Sequence, residues 1–97
     1  AAEPDVISFD DYQDRTRELE NLDDDHLLYA LRTADERVVR MALAASGEGL
    51  WKRIAKRLPR RSAVRLRQEI FSIGPAKVSE LREAQRALLD IAAARAA

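Results

Sequence analysis

Apolar residues recur along this chain at intervals of three and four, the period of a helix with one buried side. Leu27, Leu28 and Leu31 form one such set, and Val38, Val39, Ala42 and Leu43 a second. Leu50, Trp51, Ile54 and Leu58 form a third, Ala63, Leu66, Ile70 and Ile73 a fourth, and Leu81, Leu88 and Ile91 a fifth. Tyr12, Leu19 and Leu22 add a sparser stripe near the start. No stretch alternates with a period of two, and β-branched residues are few. The pattern predicts an all-α protein, a compact bundle of about six helices.

Boundary residues punctuate the periodic stretches. Ser8 with Asp11 resembles a capping box opening the first helix. Asp23 is placed to cap the second, with Asp24 and Asp25 at the positive end of its dipole. Asp35 is placed to cap a third from Glu36. Ser46-Gly47-Glu48-Gly49 reads as a loop, followed by a fourth helix to about Leu58. Pro59 breaks that helix and can open the fifth, where its missing N–H costs little. Gly74 and Pro75 end the fifth, and Ser79 reads as the N-cap of the sixth, with Glu80 and Glu83 in its first turn. The alanine-rich end is expected to fray.

Length and composition narrow the classes. The 97 residues suffice for one modest core. Residues 1–21 read as a linker and first helix, and residues 22–97 as the helical domain. Cysteine is absent, which removes disulfides and thiolate metal sites. No apolar run approaches the roughly 20 residues of a membrane span, and the acidic, polar start does not read as a signal peptide. Phosphate-binding loops, dinucleotide fingerprints, zinc-protease and nucleophile-elbow motifs are all missing. These readings point to a protein that is not an enzyme and takes no cofactor, metal or small-molecule substrate. His26 follows three aspartates, a pattern of helix capping more than of metal ligation.

The formal charge of zero conceals a division. Up to Glu36 there are twelve acids against three bases; from Arg37 onward, five acids against fourteen bases. Such segregation signals either internal complementarity or separate binding surfaces. The stretch from Lys52 to Arg67 holds eight bases and no acid. That run invites a nucleic-acid reading, but it lacks the interleaved aromatics of a single-strand binder and falls on two helices. Lys52, Arg53, Lys56 and Arg57 are expected to face outward on the fourth helix. On the fifth, Arg61, Arg65, Gln68 and Ser72 share the side opposite the apolar stripe, with Glu69 flanking it.

Several blocks resemble a known family. Leu22-Asp23-Asp24, Ala42-Leu43, then Arg61 with Ala63, and finally Gly74-Pro75-Ala76-Lys77-Val78-Ser79-Glu80-Leu81-Arg82-Glu83-Ala84-Gln85 fall in register without a gap. In this order and spacing they are similar to the C-terminal domain of the flagellar motor switch protein FliG. The resemblance covers Leu22 to Ile91, and its Gly-Pro block is the most specific part. It implies a helical rotor domain that meets the cytoplasmic loop of the stator protein MotA through charges on an exposed helix. Other switch-complex rotor proteins would be further partners, at the cytoplasmic face of the inner membrane, without insertion into it.

Carried over by position, the family's basic sites fall on Ala44, Arg61 and Lys77, and its acidic pair on Gln68 and Glu69. Three of those five charges keep their sign. Asp25 stands in place of a basic residue and Pro59 in place of a serine. The family's hinge motif is absent from its expected place, and Ile7-Ser8-Phe9, which resembles it, lies too early. The resulting stator-facing set is Arg61, Arg65, Gln68, Glu69 and Lys77. A FliG-like adaptor without a motor role is the alternative reading, and a nucleic-acid binder working through Lys52 to Arg67 is the third.

Overall fold

The computed structural model describes residues 13–96, and among these the chain is helical with no strand. Five helices follow one another: α1 (Thr16–Glu20), α2 (Asp24–Thr33), α3 (Glu36–Ala55), α4 (Arg60–Phe71) and α5 (Val78–Ala96). The expected opening of the first helix at Ser8, with Asp11 and Tyr12, lies outside the described residues, as does Ile7-Ser8-Phe9.

The break expected at Ser46–Gly49 is a kink centred on Gly47. The helices on either side run together as α3, and the interruption shrinks to Gly47, at φ 80 and ψ −172. Residues with a Cβ do not tolerate that conformation, so a glycine bends the helix without ending it. Sequence punctuation marked the right place, and the break is shorter than the four residues expected. With the two limbs of α3 taken separately at this kink, the described helices number six.

Two of the expected caps form as read. The Asp23 carboxylate accepts from the His26 amide at 2.8 Å, and the Asp35 carboxylate from the Arg37 amide at 2.8 Å. Pro59 precedes α4, and its carbonyl accepts from the Ala63 amide. The expected cap at Ser79 is shifted. Helix α5 begins at Val78, and the Lys77 amide donates to Glu80 Oε1 at 3.1 Å. This is the reach-back half of a capping box, with Lys77 at the cap and Glu80 three residues on. Gly74, at φ 73, turns the chain out of α4 as expected. The alanine-rich end remains helical to Ala96.

The core gathers Leu19 from α1, Leu27 and Ala30 from α2, seven positions of α3 including Leu50 and Ile54, and Ala84, Gln85, Leu88 and Ala92 from α5. On α2 the fully buried pair is Leu27 and Ala30, with Leu31 packed at the edge. Helix α5 lies against α1, α2 and α3, whereas α4 packs chiefly on α3. No residue of α4 is fully buried. It is an outrigger on the bundle, and its position decides what the site can do.

Candidate functional site

Helix α4 has the composition of an edge element. Ala63, Leu66 and Ile70 are half-buried toward α3, and Ile73 follows in the turn beyond. Arg67 fixes the helix in rotation. Its Nη2 donates to Glu48 Oε2 at 2.6 Å. Its guanidinium carbon lies 5.2 Å from the Trp51 ring centre and 5.0 Å from that of Phe71. The cation therefore meets two aromatic faces and one carboxylate at once. Beside it opens an apolar cavity of about 380 Å³, whose lining includes Leu43, Ala44, Trp51, Ile70 and Phe71. Phe71 itself is 72 % exposed.

The outer side of α4 carries Arg61, Arg65, Gln68 and Ser72, all exposed, as the helical period predicts. Glu69 differs. Its side chain is only 35 % exposed and turns toward α3, with Oε1 at 3.9 Å from Arg40 Nη1 and Oε2 at 3.5 Å from Arg65 Nε. Lys77 is exposed at the start of α5, beyond the turn through Gly74 and Pro75. A polar cleft bordered by Arg37, Arg40, Glu69, Ser72 and Ala76 lies between the end of α4 and α3. Three of the five expected site residues thus share one stripe. Glu69 edges it and Lys77 stands apart on another helix.

A family model for the FliG C-terminal domain matches residues 12–97. The chain belongs to the FliG C-terminal domain family. The flagellar motor switch protein FliG of Pseudomonas aeruginosa is 34 % identical over 74 residues, covering 76 % of this chain. That of Thermotoga maritima is 31 % identical over 70 residues, covering 72 % of this chain. The matched segments span 22 % and 21 % of the lengths of those relatives. No solved structure matches the chain.

Within this FliG C-terminal domain, half of the basic run is engaged internally. Arg57 is exposed as expected and Arg53 is half-buried, and both reach Asp24 at the start of α2. Arg53 Nε donates to Asp24 Oδ1 at 2.8 Å, while its other nitrogens donate to the carbonyls of Glu20, at 2.6 Å, and Leu22. Arg57 Nε donates to Asp24 Oδ2 at 2.9 Å. The Arg57 and Arg53 guanidiniums hold the Asp24 carboxyl below its ordinary range, and Asp24 in turn raises Arg57. With Arg65 on Glu69 and Arg67 on Glu48, four of the eight bases between Lys52 and Arg67 have carboxylate partners. The opposite charges of the two chain segments were the sequence signal for this clamp.

The other feature missed in the sequence is Gln85. It is fully buried. Its Oε1 accepts from the Arg15 amide at 3.1 Å, and its Nε2 donates to Ser46 Oγ at 3.0 Å and Thr16 Oγ1 at 3.1 Å. Ser46 Oγ donates onward to the Ala42 carbonyl at 2.7 Å. A glutamine on the apolar stripe of Leu81, Ala84 and Leu88 was the available clue. His26 is likewise accounted for, since its Nδ1 lies 2.7 Å from Asp23 Oδ1 within the cap. Among the described residues no cluster of three or more His, Asp or Glu converges as a metal site would require, and no helix is long and apolar enough to cross a membrane.

Proposed function

We propose that this domain is part of a flagellar rotor and switch, and that it transmits torque through electrostatic contact between α4 and the cytoplasmic loop of a MotA-like stator. The observation that carries the reading is the placement of α4: a helix with no fully buried residue that offers Arg61, Arg65 and Gln68 along one open side. Lys77 extends the charged surface, and Glu69 supplies the acidic edge. Other rotor proteins of the switch complex are the second class of partner, at the cytoplasmic face of the inner membrane. The work is mechanical, with no enzymatic step. Exposed charge pairs contribute roughly 0.2–1 kcal/mol each and weaken with salt. Several must therefore act together, which suits a contact made and released repeatedly.

Exchanging the two charges tests the reading. In the native organism, Arg61→Glu combined with Glu69→Arg is expected to reduce swimming and swarming sharply at normal flagellar number. Unchanged motility would remove the torque role.

A FliG-like adaptor without a motor role is the second reading. Ala44, where the family resemblance places a base, instead borders the apolar cavity beside Trp51 and Phe71. Genes for stator and rotor proteins in the same genome favour the motor, and their absence favours the adaptor. For a nucleic-acid binder, a low-salt gel shift with duplex and single-stranded probes is the test, and absence of a shift eliminates it.

A further inference from the structure

The outer side of α4 is more than a row of charges. Arg60, Arg61, Val64, Arg65 and Gln68 border one shallow, open depression. Their spacing of i, i+1, i+4, i+5 and i+8 is that of one helix face. Val64 sits among them 51 % exposed, and the Arg65 side chain is 82 % exposed. No acid lines the depression itself; Glu69 stands at its edge, with one carboxylate oxygen 3.9 Å from Arg40 and the other 3.5 Å from Arg65. Arg60 and Arg61 make no ion pair within the described residues. They also occupy the first turn of α4, where no acid or side-chain cap offsets the helix dipole. Two bases at the positive end of a helix oppose its own stability. The fold gives no internal reason for that arrangement.

Resting on the reading of α4 as the contact helix, we propose that this face docks an acidic amphipathic segment of a partner protein. An apolar side chain of the partner seats on Val64 while its carboxylates meet Arg60 and Arg61 and share Arg65 with Glu69. The contact is one-signed on this side, with an apolar centre. Glu69, at the edge of the contact, also holds α4 on α3 through Arg40. Charge complementarity selects an acidic partner, and the exposed valine selects one with an apolar residue among its acids. No aromatic ring lies in the patch to stack a base, which argues against single-stranded nucleic acid as the occupant.

The test uses the 97-residue chain and two synthetic peptides of equal length and net charge. One is a helical peptide with leucines on one side and glutamates around them; the other replaces every leucine by serine. Amide chemical-shift changes on α4 and titration calorimetry give site and affinity. The leucine peptide is expected to bind at α4 at least about five-fold more tightly than the serine peptide. Val64→Ser is expected to remove that preference and leave serine-peptide binding unchanged, and Arg61→Glu with Arg65→Glu to abolish both. Equal affinity for the two peptides, shifts away from α4, or tighter binding of an oligonucleotide of equal charge would overturn the proposal. The motility experiment stands apart. If the peptides fail while the charge exchange still impairs swimming, the torque reading survives and this inference does not. Circular-dichroism melts of Val64→Ser, a change at an exposed site, confirm that folding is unaffected.

Discussion

Gln85 shows how much a single polar side chain settles here. An apolar residue in its place would satisfy the period of α5 but would remove the acceptor of the Arg15 amide hydrogen bond and the donor to the Ser46 and Thr16 hydroxyls. The glutamine ties the entry of α1, the bend of α3 and the middle of α5 to one point. Gln85→Met keeps the shape while removing the hydrogen bonds, and is expected to cost about 1–3 kcal/mol in urea unfolding. A substitution with no measurable effect would mean that water replaces the glutamine. Single residues were partly legible in the sequence. Asp23 and Asp35 announced their caps because capping chemistry is local. The roles of Arg53 and Arg67 were not legible, because each depends on groups about thirty and twenty positions away that only the fold brings near.

Among the elements, α3 departs most from its sequence reading. Two glycines within three residues looked like a loop, yet their roles are opposite. Gly47 holds a backbone conformation closed to other residues, whereas Gly49 has no positive φ. A Cβ at position 47 would meet nothing within 4 Å, so Gly47→Ala is expected to cost about 1–3 kcal/mol from backbone strain alone. A Cβ at position 49 would come within 3.1 Å of the mobile end of Glu20, which can move aside. Gly49→Ala is therefore expected to be neutral or to stabilise by up to about 1 kcal/mol. Thermal melts of the two variants, shifted in opposite directions or with only Gly47→Ala destabilised, check the bend; equal losses would contradict it. Helix α4 was the most legible element, since its inner and outer sides both follow the period of 3.6. Its hold on α3 was not legible, because Glu69 was read as a surface charge.

For the molecule as a whole, the opposed charges of the two chain segments are in part engaged with one another. Asp24 from the acidic part takes Arg53 and Arg57 from the basic part, and Asp14 stands 3.6 Å from Arg82. The Asp24 carboxyl is held below the ordinary carboxylate range by hydrogen bonds from Arg57 and Arg53, and the Asp14 carboxyl likewise, first by hydrogen bonds from Thr16. A carboxyl whose folded pKa is depressed stabilises the fold above its unfolded pKa, and loses that contribution as pH falls through the folded value. Stability is therefore expected to hold from neutrality to about pH 5 and to decline below about pH 4. Asp24→Asn should be less stable at pH 7 and show a shallower acid decline. Parallel curves for the two proteins would deny the clamp its role. The bend at Gly47 has a mechanical consequence. Arg40 lies before it, Glu48 and Trp51 lie after it, and α4 is fastened to all three through Glu69 and Arg67. The helix is thus a splint laid across an elbow. A substitution that loosens α4 would therefore release both limbs of α3 at once.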